Sequence, residues 1–273
     1  MKKTINGIDY HYIDPTGNIT LLVETGVKEK DRPEIAGMIM EHEPLAEQAG
    51  FVSDSSSCDI RLSMAAGEFC GNATMSAAAL FCEREGLKIG RSRRVSVEAS
   101  GCSEPVLVDI TRKEDDICRH FYDGTVHMPL HKKISKQRLE YKGREYEPYV
   151  VDFDGITHII APDEDIRLSD VEAEEAVVIW QRALDAKCLG IMFVSYDKAD
   201  RNKIGLRPLV YVPGVKTCFW ESSCASGTTA VGACHIKNGM DDDAVLTVSE
   251  PGGILTVRKG SGGHVILGGS VAL

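Results

Sequence analysis

The chain has 273 residues, 43% hydrophobic and 26% charged, enough to build a sizeable core in one large domain or two medium ones. With 41 acidic against 31 basic residues, its formal net charge is −10. That charge excludes general binding to nucleic acid or an anionic membrane, because phosphate contacts need clustered Lys and Arg. The short basic run of Arg91, Arg93 and Arg94 reads as a solvated turn.

In chain order, the opening "MKKTINGIDYHYIDPTG" has no apolar core of a secretory signal, and no later run approaches the roughly 20 apolar residues of a membrane span. A cytoplasmic protein is expected. "INGIDYHYIDPTGNITLLVET" predicts two short strands around a Pro-Thr-Gly-Asn turn. "DRPEIAGMIMEHEPLAEQAG" predicts a helix with Asp31 as cap, Pro33 in the first turn and Gly50 at its end. Strands follow at "FVSDSS" and "DIRLSMAA", then a helix at "CGNATMSAAALFCEREG" closed by Gly86, then a strand pair at "RRVSVEAS" and "EPVLVDITR".

The second half repeats this plan. "TVHMPL" and "REYEPYVVDFDGITHIIAP" are strand-like, and "LSDVEAEEAVVIWQRALDAK" is a helix capped near Ser169. "LGIMFVSYD" and "GLRPLVYVP" are strands before the helix "CASGTTAVGACHIKNG", which Gly239 ends; "DAVLTVSEPGGILTVRKG" and "HVILGGSVAL" close the chain as strands. The repeated order predicts an α/β (α+β) fold of two similar lobes. The expected boundaries are 1–126, completed by the last strand 263–273, and 127–262, with the join near "DGTVHMPLHKK".

Nine cysteines, at 58, 70, 82, 102, 118, 188, 218, 224 and 234, include no C-x-x-C, so neither a disulfide framework nor a zinc ribbon is expected. The histidines at 11, 42, 127, 131 and 235 form no ligand-spaced cluster, so no metal is expected either. Cys82 and Cys234 fall inside helices and read as packing residues. Cys70 and Cys224 differ: each stands where an alanine-rich helix begins, in "EFCGNAT" and "SSCASGT". A helix start leaves about four backbone N–H groups without partners and carries about half a unit of positive charge. That environment stabilises a thiolate and holds a carboxylate, and small residues let a ligand approach the backbone.

If the two helix starts face one another across a cleft between the lobes, a substrate carboxylate is gripped by both and its α-carbon lies between two sulfurs. One sulfur, as thiolate, removes the α-proton. The other, as thiol, donates to the opposite face. The outcome is inversion at the α-carbon. A thiolate alone is too weak a base for this, so backbone dipoles must stabilise the carbanion in a closed site. No PLP-lysine motif is evident and no cofactor is expected.

These motifs resemble the cofactor-independent amino-acid racemases and epimerases, a superfamily of diaminopimelate epimerase, proline racemase and phenazine-pathway isomerases. The resemblance spans nearly the whole chain. "GNITLLV", "EFCGNATMS", "SGCS", "WESSCASGT" and "PGG" are most similar to the histidine racemases of staphylopine-type metallophore biosynthesis. The resemblance implies the diaminopimelate-epimerase-like fold, with a mixed sheet wrapped round a central helix in each lobe. It also implies Cys70 and Cys224 as the acid–base pair, and amides of Gly71, Asn72, Ala225, Ser226 and Gly227 around the carboxylate. Asn18, Glu47 and His158 are placed near the substrate, with Glu47 facing an imidazole; Glu221, three residues before Cys224, is a candidate contact for its ammonium. Each has a plainer reading: Asn18 a turn residue, Asn72 a helix cap, Glu47 a solvated helix end, His158 a satisfied strand histidine, Glu221 a surface or structural carboxylate.

Two features depart from the pattern. Diaminopimelate epimerases have a Glu-Arg pair where this chain reads "YVPG" (211–214), which puts diaminopimelate in doubt, and Ala225 stands where glycine is usual. The expected function is therefore racemisation of a free amino acid, histidine first, with a small-molecule partner and a homodimer as the assembly to test. The alternatives are a racemase or epimerase of another, basic or broader, range of amino acids, a non-catalytic amino-acid binder on the same fold, or a redox sensor using its thiols.

Overall fold

A computed structural model describes residues 2–117, 119–214 and 217–273, so Cys118 lies outside the described residues. The chain divides into two compact units, residues 1–128 with 268–273, and residues 129–267.

The first unit contains β1 (Lys2–Ile5), β2 (Ile8–Pro15), β3 (Thr20–Val23), α1 (Arg32–His42), β4 (Gln48–Ser53), β5 (Ile60–Met64), α2 (Gly71–Arg84), β6 (Ser92–Ala99), β7 (Val106–Arg112) and β8 (Phe121–His127). The second contains β9 (Lys133–Lys136), β10 (Leu139–Tyr141), β11 (Arg144–Tyr146), β12 (Tyr149–Asp152), β13 (Thr157–Pro162), α3 (Asp170–Ala183), β14 (Leu189–Tyr196), β15 (Lys203–Val212), β16 (Thr217–Trp220), α4 (Ala225–Lys237), β17 (Leu246–Glu250) and β18 (Gly253–Lys259). The last strand, β19 (Val265–Ala272), returns to the first unit, where Val271 and Ala272 pair with Pro15 and Asp14. No described helix is long and apolar enough to cross a membrane.

Both units use one connection rule. A parallel neighbour cannot be reached by a hairpin, so the chain crosses over through a helix. In the first unit β3 pairs parallel with β4 across α1, β4 antiparallel with β5, β5 parallel with β6 across α2, and β6 antiparallel with β7. In the second unit β13 pairs parallel with β14 across α3, β14 antiparallel with β15, β15 parallel with β17 across α4, and β17 antiparallel with β18. The sequence of pairings is the same, with β16 added as a hairpin on β15. The crossovers through α2 and α4 are equivalent, and each begins with one of the two singled-out cysteines.

α2 and α4 are the central helices. Of the 14 residues of α2, 11 are buried, and α4 buries 9 of its 13, so neither has a solvent face. Their small residues make this possible. At Gly232 on α4 an added Cβ would lie 2.5 Å from Cγ1 of Val257 on β18. In the first unit the sheet supplies the glycine: an added Cβ at Gly124 on β8 would lie 2.3 Å from Cγ of Met75 on α2. α3 is more conventional: Ser169 and Glu172 form a complete capping box, and Trp180 on its inner face is fully buried, its indole N–H donating to the Glu140 carbonyl at 2.9 Å.

The first helix departs from expectation. α1 ends at His42, not near Gly50, and Asp31 makes no side-chain cap hydrogen bond. Pro44 supplies the stop, because the residue before a proline is pushed out of the helical region; Glu43 has φ −123° and ψ 75°. Gly50 belongs instead to β4, where an added Cβ would lie 2.9 Å from Cδ1 of Leu62. Strands β9, β10 and β16 also stand where no strand is expected.

Replacing Gly232 by alanine separates propensity from packing. Alanine gains about 1 kcal/mol of helix propensity, whereas overpacking against a β-branched neighbour costs about 1–3 kcal/mol. The expected result for Gly232→Ala is a lower urea midpoint. An unchanged or higher midpoint would defeat this account of the helix–sheet contact.

Candidate active site

Both cysteines are the N-caps of the central helices, in extended backbone conformation, with φ −133° and ψ 116° at Cys70 and φ −125° and ψ 98° at Cys224. Each sulfur accepts the backbone N–H three residues on, from Ala73 and from Gly227, at 3.4 Å in both cases. Each cysteine carbonyl accepts the N–H four residues on. The sulfur therefore takes the position that Ser, Thr, Asn or Asp oxygen usually occupies at a helix start. Asn72, which could have been a cap, is instead the second residue of α2 and 2% exposed. Gly71 and Ala225 open their helices and are buried. Gly227 is required sterically: an added Cβ would lie 2.1 Å from Sδ of Met192 on β14 and 3.1 Å from Sγ of Cys224.

Around Cys70 the first unit assembles a chain of polar side chains. Asn18, buried in the turn between β2 and β3, donates through Nδ2 to Glu47 Oε2 at 2.5 Å. Its Oδ1 accepts from Gln48 Nε2, which also donates to Thr20 Oγ1 at 2.8 Å. Gln48 Oε1 in turn accepts from the Cys70 thiol at 2.8 Å. Asn18, Glu47 and Cys70 thus lie in one hydrogen-bonded chain through Gln48. Glu47 does not sit at a helix end: it immediately precedes β4, with its N–H on the Ile19 carbonyl at 2.9 Å. The linking residue, Gln48, was missed. Its only signal is a polar residue opening the strand "QAGFVS", ahead of four buried residues.

Around Cys224 the second unit places charge. Glu221 hydrogen-bonds the thiol, and Oε2 of Glu250, at the end of β17, accepts the Cys224 N–H at 2.6 Å. Glu250 Oε1 accepts from the Thr228 hydroxyl. Ser226 Oγ lies 3.7 Å from the Cys224 sulfur and 2.9 Å from Nε2 of His158 on β13. His158 is fully buried, edge-on to Phe153, and its Nδ1 has no hydrogen-bond partner among the described residues. An added Cβ at Gly190, on the parallel neighbour β14, would lie 2.3 Å from that nitrogen. Glu250 and Thr228 were also missed: "DAVLTVSEPGGILTVRKG" reads as strands and "CASGTT" as a helix start, and neither announces the contact.

The electrostatics correct one expectation. A helix start was expected to ease loss of the thiol proton. At Cys224 burial instead pushes the thiol well above its ordinary value, the charges of Glu221 and Glu250 push the same way, and the Gly227 N–H is the opposing influence. Burial likewise raises Cys82 to about 11 and Cys234 to about 12, as befits thiols packed inside the helices. Burial lowers His158 from 6.5 to about 3, so its imidazole is neutral at physiological pH.

His158 therefore links protonation to stability. Between pH 6.5 and about 3 the unfolded chain binds a proton at this histidine that the folded chain does not. Stability falls as pH drops through that window, by about 1.4 kcal/mol per pH unit. His158→Gln should flatten the acid-side slope of unfolding free energy against pH. An unchanged slope would mean that His158 protonates freely in the folded protein.

A family model described as the histidine racemase CntK N-terminal domain matches residues 7–269. A histidine racemase of Fusobacterium nucleatum subsp. nucleatum is 32% identical over 257 residues, covering 92% of this chain and 90% of the relative. A histidine racemase of Staphylococcus aureus is 28% identical over 257 residues, covering 92% and 88%. Among solved structures, a probable proline racemase from Agrobacterium radiobacter superposes with a TM-score of 0.67 at 13% identity, covering 97% of this chain and 89% of that one. A Bacillus anthracis phenazine biosynthesis protein of the PhzF family gives 0.59 at 14% identity, covering 96% and 95%. These structures share the two-lobed α+β fold. The extent of the family match and the identity to the Fusobacterium enzyme establish that the chain belongs to the histidine racemase family.

Proposed function

We propose that this protein interconverts L- and D-histidine without a cofactor, with Cys70 and Cys224 as the two acid–base groups. The observation that carries the reading is the matched pair of sulfurs, each capping a central helix in an equivalent crossover. The names of the relatives supply the substrate.

The chemistry is a balanced proton exchange. One cysteine, as thiolate, takes the hydrogen of the α-carbon as its proton. The electron pair left behind delocalises into the substrate carboxylate, which becomes enediolate-like. The other cysteine, as thiol, gives its proton to the opposite face, and the two sulfurs finish with their protonation states exchanged. N–H groups at the starts of α2 and α4, from Gly71, Asn72, Ala225 and Ser226, are the donors assigned to the carboxylate, where they oppose the developing charge, while the Gly227 N–H stays on the Cys224 sulfur. Exclusion of water strengthens that term, so closure over the substrate belongs to the mechanism. Asn18 and Glu47 are assigned to the imidazole end and Glu221 to the ammonium. We further place the enzyme in the cytoplasm, with a homodimer as the assembly to be tested.

Two measurements test the reading. Proton NMR in D₂O with reduced protein and L-histidine should show loss of the α-proton signal together with decay of optical rotation. Exchange with lysine or arginine but not histidine would overturn the substrate; no exchange with any amino acid would overturn the reaction. Cys70→Ala and Cys224→Ala should each lower turnover by about 10²–10⁴-fold or more, the contribution of a positioned acid or base. Full turnover in either variant would remove that cysteine from the mechanism.

A further inference from the structure

The two helix starts share a sequence pattern but not a charge. Thr74 and Thr228 each follow their cysteine by four residues. Thr74 Oγ1 donates to the Cys70 carbonyl at 2.7 Å, as a threonine in a first helical turn commonly does. Thr228 Oγ1 donates instead to Glu250, whose other oxygen holds the Cys224 N–H at 2.6 Å. Both carboxylate oxygens accept, the arrangement of an ionised group, and the residue is only 8% exposed. An anion is therefore fixed at the start of α4, reaching it from the end of β17. The Cys70 sulfur meets a neutral group, the amide oxygen of Gln48.

We propose that Glu250 is a positioning residue for the racemisation, anchoring the Cys224 backbone beside a fixed negative charge so that Cys224 rests as the thiol and serves as the proton donor of the first half-reaction. This rests on the two-cysteine reading above. Helix-start N–H groups favour a thiolate, and a buried carboxylate opposes that preference at one of two otherwise similar sites. The titratable groups facing Cys224 among the described residues are Glu221, from the segment between β16 and α4, Glu250 from β17, and His158 from β13 through Ser226. The first two are acidic and favour the thiol; His158 is neutral and adds no charge. After turnover the S–H bond of Cys224 has broken, its proton is on the substrate, and Cys70 carries the proton taken from the α-carbon. Glu250 then drives reprotonation of Cys224, with water as proton source and Cys70 returning its proton to water. The resting enzyme accepts one enantiomer first as a consequence.

The test uses the full-length protein carrying [β-¹³C]cysteine, with the Cys224 signal followed against pH; this reads protonation whether or not the sulfur is accessible. In the unsubstituted protein Cys224 should titrate above the ordinary thiol value of about 8.5. Glu250→Gln can keep the Cys224 N–H bond through its amide oxygen, turns the Thr228 contact into a donation from its NH2 group, and removes the charge. It should lower the midpoint by about one pH unit, a tenfold rise in thiolate fraction below the midpoint. Thr228→Val removes a hydrogen bond and keeps the charge, and should leave the midpoint in place. The proposal is overturned by a Cys224 midpoint at or below the ordinary value in the unsubstituted protein. It is equally overturned by an unmoved midpoint in Glu250→Gln, or by a shift in Thr228→Val as large as in Glu250→Gln. Should Glu250→Gln not fold, the unsubstituted protein and Thr228→Val decide the matter. Failure of the two-cysteine reading would show separately, as turnover by Cys224→Ala.

Discussion

A helix whose first turn is largely buried has little access to water there. Its leading N–H groups must find acceptors inside the protein or remain unpaired at a cost of about 1–3 kcal/mol each. α2 and α4 meet that requirement with sulfur: each cysteine accepts one N–H through its side chain and one through its carbonyl. A thiol is a weaker acceptor than a serine hydroxyl, so capping alone does not explain the choice of residue. What a cysteine adds is an atom that gives and takes a proton. Donors left over in the same turn are then available to a carboxylate brought there as substrate. The enclosure of the central helices, the small residues that permit it and the chemistry assigned to the site come from one constraint.

The equivalence of the two crossovers is topological, and the surroundings of the two sulfurs are not equivalent. In the first unit the sulfur is tied through Gln48 and Asn18 to Glu47, so the carboxylate acts through two neutral amides. In the second unit Glu221 and Glu250 act on Cys224 directly, and with burial they outweigh the helix start. The two-base racemisation proposed above uses two groups of the same kind that begin in opposite protonation states. A repeated fold supplies the sameness. The difference has to come from side chains that one unit has and the other lacks, and in the proposal above Glu250, at the end of β17, is one of them.

His158 shows how such a site is supported. Its ring is fully buried, satisfied on one nitrogen by Ser226 and pressed against a glycine on the other side. Gly190 and Gly227 both serve close approach, the first to the imidazole and the second to Met192 and Cys224. Neither residue has a φ in the left-handed region, so the demand for glycine at these positions is one of space.

The sequence alone determined what is carried by neighbours along the chain. The repeated strand–helix order, the helix starts at Cys70 and Cys224, the Ser169 cap and the closing glycines at Gly86 and Gly239 are all signals within a few residues, and each stands where it was read. Where local signals compete, the first in the chain wins: Pro44 stops α1 before Gly50 is reached, and Glu47 therefore precedes β4 instead of ending a helix. Tertiary structure alone decided the partners that lie far apart in the chain. Gln48 precedes Cys70 by 22 residues and Glu250 follows Cys224 by 26, and no pattern in "EQAG" or "SEPGG" announces either contact. It also decided the direction in which the Cys224 thiol is pushed. A helix start is a local feature with a local charge, whereas burial and like-charge repulsion depend on which strands fold over it.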